Sequence, residues 1–184
     1  MDQLLETAVR DTRRWVERAV IGLNLCPFAK AVHVKGQAHY VASIASDAQE
    51  ALRDLAVQAD ELLALSPEQR DTTLLVLPAW DCDFLTFNDA VAQGEKLLRK
   101  RGLEGILQLA FFHPKFQFEG TEEDDITNAT NRSPWPVFHL LREESLDRAV
   151  EAFPEAERIY EANMATMERL GEEGLRALDV GRSA

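Results

Sequence analysis

Cysteine is scarce in this chain. Two among 184 residues, Cys26 and Cys82, form no Cys-x-x-Cys pair, which excludes a disulfide framework and a thioredoxin-like motif. Free thiols in a cytoplasmic setting are the expectation. Positive charge is also in short supply: 20 Lys and Arg stand against 32 Asp and Glu, a formal net charge of -12. Such a surface repels polyanions, so neither nucleic acid nor an anionic membrane is expected as a partner. No apolar run approaches the length of a membrane-spanning helix, and MDQLLETAVRDTRRW carries charge from residue 2, unlike a signal peptide. G-x-G-x-x-G, G-x-x-x-x-G-K-[ST], H-E-x-x-H and G-x-S-x-G are all missing. Their absence weighs against dinucleotide enzymes, P-loop NTPases, zincins and α/β-hydrolases, and leaves no nucleotide-binding motif. No repeat or Ser/Gly-rich linker divides residues 1–184, so one domain is expected.

What is present alternates between two periods. Leu4, Leu5, Ala8, Thr12, Trp15, Ala19 and Leu23 recur at steps of three and four, which predicts a long N-terminal helix of about 20 residues started by Asp2. HYVASIA (39–45) reads as a strand. Ser46 and Gln49 form a capping box for a helix continuing to Leu63. TTLLVLP (72–78) is a buried strand stopped by proline. Asp83 caps a helix that ends near Arg101 with cations in its last turn and Gly102 behind it. GILQLAFF (105–112) is another strand. VFHLLRE (137–143) fits a strand better than a helix, since Ser145 opens a fresh helix, and Pro154 opens another through Ile159, Tyr160, Met167 and Leu170. Strand and helix in alternation predict an α/β fold. Its expected form is a small, mostly parallel three- to four-stranded sheet flanked by helices, with a helical C-terminus.

In such sheets ligands gather beyond the carboxyl ends of strands. That rule selects PAWDCD (78–83) and the long polar loop 113–136. Four segments, NLCPFAKAV (24–32), FHPKFQFEG (112–120), DDITNATNRSPWP (124–136) and HLLREES (139–145), resemble the uncharacterised bacterial family catalogued as domain of unknown function 1415. The resemblance spans nearly the whole chain. It implies a bacterial single-domain protein of this length and assigns no catalytic role, although it places Cys26 within an LCPF motif.

The residues themselves suggest a site on the loop. His113, at a strand mouth before a proline, is the candidate ligand or general base, with a histidine that merely hydrogen-bonds the loop as the alternative. Asp124 and Asp125 are candidate catalytic or orienting groups. With His113 and, more weakly, His139, they form a candidate ligand set for a divalent metal. Asn128 and Asn131 are candidate substrate-binding groups, and all four Asx residues have a loop-folding alternative. Arg132 is either the anion clamp on a ligand or, slightly favoured, the partner of Asp124 or Asp125. Cys26 is a redox or ligand candidate, although a buried structural thiol is the simpler reading. His33 and His39 read as surface or packing residues. The function expected is an enzyme, metal-assisted in one version, acting on a small polar molecule at the carboxyl edge of the sheet. On that view alanine at His113 abolishes binding and leaves the thermal midpoint nearly unchanged. The alternative is a non-catalytic ligand- or protein-binding or regulatory module, with Phe116, Phe118 and Trp135 as exposed anchors.

Overall fold

In a computed structural model, which describes residues 1–152 and 158–183, the N-terminal apolar stripe forms α1 (Asp2–Trp15). Met1 occupies the cap position, so Asp2 lies inside the first turn and acts on the helix dipole rather than as a cap. The predicted 20-residue helix is not α-helical throughout. After Trp15 the coil widens into a π-helix, Val16–Ile21, with Gly22 N–H bonding Glu17 O at 3.1 Å and Leu25 N–H bonding Val20 O at 2.8 Å. A short helix α2 (Ala29–Val34) leads to β1 (Ala38–Ala42).

Helix α3 (Ala48–Leu63) begins one residue later than the Ser46 capping box requires. Asp47 is the cap and accepts from Glu50 N–H at 2.8 Å, while Glu50 reaches back to Ser46 N–H at 3.0 Å. A carboxylate at the cap also complements the positive end of the dipole, which a Ser46 cap would forgo. Next come β2 (Thr72–Val76), α4 (Phe84–Lys100) with Asp83 as its cap, and β3 (Leu107–Phe112). Gly102, at φ 72°, takes the left-handed position that closes α4. The loop 113–136 contains a 3-10 turn, Ile126–Asn131, and delivers β4 (Val137–Arg142), followed by α5 (Glu143–Ala152). Pro154 lies outside the described residues. The last helix, α6 (Ile159–Ala177), is kinked at Gly171, whose φ of 67° and ψ of 174° suit glycine alone.

The sheet is mixed, with order β1-β2-β4-β3, and this corrects the mostly parallel expectation. Among the described residues only β1 and β2 pair in parallel; β4 lies antiparallel between β2 and β3. The long loop carries the chain back across the edge and inserts β4 where a βαβ crossover would have set β3 beside β2. An apolar run records central burial but not strand direction.

The two faces are covered differently. Helices α3 and α4 seal one, where Leu55, Leu62 and Phe87 pack on Leu75, Leu109, Phe138 and Leu140. On the other, α1 and the π-helix set Ala8, Trp15, Val16 and Ala19 against Tyr40, Leu74, Val76 and Val137. The C-terminal tail fastens that layer: Ser183 N–H and Oγ and Trp135 Nε1 all donate to the buried Asp11 carboxylate. Burial alone would raise the Asp11 pKa, but these bonds and the Arg14 charge outweigh it and hold the group below its ordinary value.

Candidate functional site

The loop 113–136 is held by its own polar groups. His113 is 2 % exposed, its ring lying 5.1 Å from that of Phe87 and 5.7 Å from that of Phe84. Its Nδ1 accepts from Lys115 N–H at 3.1 Å, and the other ring nitrogen donates to the Cys82 carbonyl, tying the two predicted edge loops together. Burial first, then the charges of Lys115 and Arg182, lower its pKa from 6.5 to about 4, against the Cys82 bond and Asp83. A neutral imidazole with both nitrogens engaged is a poor metal ligand and a poor base. Asp125 caps the 3-10 turn through Thr127 Oγ1 (2.7 Å) and N–H (2.9 Å), contacts that lower its carboxyl pKa. Asp124 is exposed.

Arg132 corrects the favoured ion pair. Its Nε donates to Phe116 O at 2.9 Å and Nη2 to Glu123 O at 2.6 Å, so its partners are backbone carbonyls rather than the Asp124 or Asp125 carboxylates. Asn131 accepts from His113 N–H through its backbone carbonyl at 3.4 Å. Asn128 is fully buried, its Oδ1 accepting from Phe118 N–H and its Nδ2 donating to Glu122 O, both at 2.8 Å. Asn128→Ala is therefore expected to cost about 2–4 kcal/mol in urea unfolding, and the Phe118 amide should lose its protection from hydrogen exchange.

The proposed metal set is not assembled. His113 packs on α4, whereas His139 projects from β4 on the opposite face of the sheet, beside Phe112. Among the described residues no group of three or more His, Cys, Asp or Glu is placed to hold a metal ion. Two of the three aromatic anchors are buried, Phe116 at 6 % and Trp135 at 7 % accessible, and Phe118 is half-buried with its ring 5.4 Å from that of Tyr160.

A different site appears on the second face. α1 and the π-helix cover it incompletely, and a cavity of about 520 Å³ remains between the sheet, the π-helix, the Cys26–Val32 segment and α5. Its floor follows the strand register: Tyr40 pairs with Leu74, Leu74 with His139, and His139 with Ala110. Its walls include Trp15, Val16 and Val20, then Cys26, Phe28 and Val32, and finally Leu146 and Ala149. A shallower depression of about 290 Å³ beside β3 is rimmed by Glu95, Arg99, Glu104 and Glu143, a solvated charged surface.

Few polar groups meet the larger cavity, and most are already oriented. Thr72 Oγ1 has one proton, which goes to the Leu140 carbonyl at 2.6 Å; its contact with His139 Nε2, also 2.6 Å, is therefore accepted from an Nε2–H. Nδ1 of His139 is left with a lone pair and no partner among the described residues. Burial lowers the His139 pKa from 6.5 to about 4, so the ring is neutral. On the far wall His33 Nε2 faces Glu17 Oε1 at 3.3 Å and His33 Nδ1 faces Tyr40 Oη at 3.4 Å. Burial first raises the Tyr40 pKa to about 12, so its hydroxyl keeps its proton. At one end Ser145 Oγ donates to Asp71 at 2.5 Å. Arg142 borders the cavity, but its side chain follows Phe138 and Leu140 to the other face and donates to the Leu62 and Leu65 carbonyls. Cys26 is a half-buried free thiol on the wall. Cys82 lies at the carboxyl edge, where burial first, then Asp83 and Asp81, push its thiol up to about 11.

Sequence reasoning read His33 as a surface or packing residue, passed over Tyr40 and gave His139 less weight than His113. One signal was available: a histidine alternating with Phe138 and Leu140 marks the second face of a buried strand. No described helix is long and apolar enough to cross a membrane. No curated protein and no solved structure matches the chain. A family model does match, over residues 7–177, and takes in the LCPF turn, the loop and the cavity-forming strands alike: the chain belongs to the family described as Protein of unknown function (DUF1415).

Proposed function

We propose that the protein binds a small, largely apolar molecule in the cavity between the second face of the sheet and the π-helix. One observation carries this reading, the cavity of about 520 Å³ with its almost wholly apolar lining. Protein interiors close-pack, and a void forfeits dispersion contacts around its whole wall, so packing gives no reason to keep one of this size. The volume falls within the roughly 300–1,000 Å³ typical of small-molecule sites, and a few convergent polar groups among apolar walls is their usual chemistry. The reading replaces the small polar substrate expected at the carboxyl edge. Reaction chemistry is not part of it. The acidic surface speaks against nucleic acid as a partner.

Nile red, an uncharged dye that brightens in apolar surroundings, tests the proposal. It should bind with one-to-one stoichiometry. Ala110→Leu places three more carbons on the cavity floor, and it should weaken binding roughly tenfold while the thermal midpoint holds or rises, since each buried methylene adds about 0.8 kcal/mol. Unchanged affinity in a folded Ala110→Leu protein would put the dye elsewhere.

A further inference from the structure

The polar groups on this cavity also carry information about what it accepts. Resting on the ligand-site reading above, we infer that the natural occupant is an uncharged amphiphile whose polar end is a hydrogen-bond donor, an alcohol rather than a carboxylate or an amine. The argument is an inventory of donors and acceptors. On the floor, the Thr72 hydroxyl is directed at the Leu140 carbonyl and receives the His139 Nε2 proton, which fixes the tautomer and leaves His139 Nδ1 as an acceptor. On the wall, the Tyr40 hydroxyl is already engaged by His33 Nδ1 at 3.4 Å, and His33 Nε2 faces Glu17 Oε1 at 3.3 Å. Both groups lie in one cross-strand row with Leu74 between them. Two strand spacings separate them, roughly 10 Å. The cavity therefore presents one open acceptor, His139 Nδ1, on an apolar floor.

A carboxylate or phosphate would set its lone pairs against that acceptor. Among the described residues, the Arg or Lys bordering the cavity is Arg142, and it is turned to the other face. Among the described residues an ammonium would find no free carboxylate on the floor, because Asp71 stands at the rim with Ser145 Oγ donating to it. Charge of either sign would then lose its hydration without compensation, at a cost of several kcal/mol, whereas a hydroxyl loses only one or two hydrogen bonds to water and regains one at His139.

Octanol, octanoate and octylamine share a chain and differ in head group, so displacement of Nile red by the three near neutral pH isolates the head. Octanol is expected to bind roughly tenfold or more tightly than either charged analogue. His139→Phe, which keeps a ring but removes the acceptor, should weaken octanol binding roughly five- to tenfold and so narrow that preference, while retaining Nile red. Tyr40→Phe should reduce it less. Equal or tighter binding of octanoate or octylamine by the wild-type protein overturns the inference and leaves the ligand site standing. Failure of the dye and all three compounds to bind removes both. The wild-type ranking decides the matter even if His139→Phe does not fold.

Discussion

Lowering the pH from about 7 to about 4 is expected to remove several kcal/mol of stability, with urea midpoints falling most steeply between those limits. The sign follows from two desolvated histidines, the buried His113 and the half-buried His139. In the native protein His113 and His139 both titrate near 4, mainly because burial disfavours the imidazolium, against 6.5 for an unperturbed histidine. As the pH falls through 6.5 the unfolded chain takes up protons that the native one refuses, so unfolding gains. The gain continues until the pH reaches the folded value. Each unit of difference is worth about 1.4 kcal/mol, which makes each histidine worth about 3 kcal/mol over the window. Two such groups are a large fraction of the roughly 5–15 kcal/mol that holds an ordinary domain together. Asp11, Asp83 and Asp125 act in the same direction, but their pKa values lie below the ordinary 3.8, so their share is lost at lower pH and the two windows separate. His139→Phe should flatten the profile between 6.5 and 4 by about half. Stability unchanged down to about 4.5 would mean the rings are not desolvated as described.

Alanine at His113 is the second large effect. The side chain is 2 % exposed, packs against Phe84 and Phe87, and bridges Lys115 N–H to the Cys82 carbonyl. Truncation opens a void beneath two aromatic rings and strands two backbone groups in the interior. Costs of this kind run to about 3–5 kcal/mol. For a chain of this length that lowers the thermal midpoint by about 10 °C, measurable by calorimetry. Nile red binding, on the other face of the sheet, should persist wherever the variant remains folded. The opposite pattern, an unchanged midpoint with lost binding, is what a catalytic or metal-binding His113 would give.

Local signals in the sequence specify the elements well. Asp83 as a cap and Gly102 as a left-handed stop depend only on neighbours a few residues away, and the structure agrees at both. The β4 strand was legible as a strand for the same reason. Its place between β2 and β3 was not, because the 113–136 loop decides it and strand order is non-local. The candidate site follows the same division. His113 does stand at the mouth of β3, and the loop after β2 does meet it, as the edge rule implies. What the sequence could not convey is the occupation of each polar atom. Arg132, Asn128 and Asp125 look like ligand-gripping groups until their backbone partners are seen, and then they are the supports of a loop lacking regular ladders. His139 shows the converse. Its significance depends on Thr72, a residue 67 positions away in sequence, and on a face that α1 leaves partly open.

The central claim is that this open face, rather than the polar loop, is where the molecule meets a ligand. Amide chemical shifts recorded during an octanol titration test it most directly. The account predicts saturable changes at Val20, Leu74, Ala110, His139 and Leu146, with residues 113–132 unmoved. Changes centred on His113 and the 124–132 segment, or none in the cavity at saturating octanol, would contradict it.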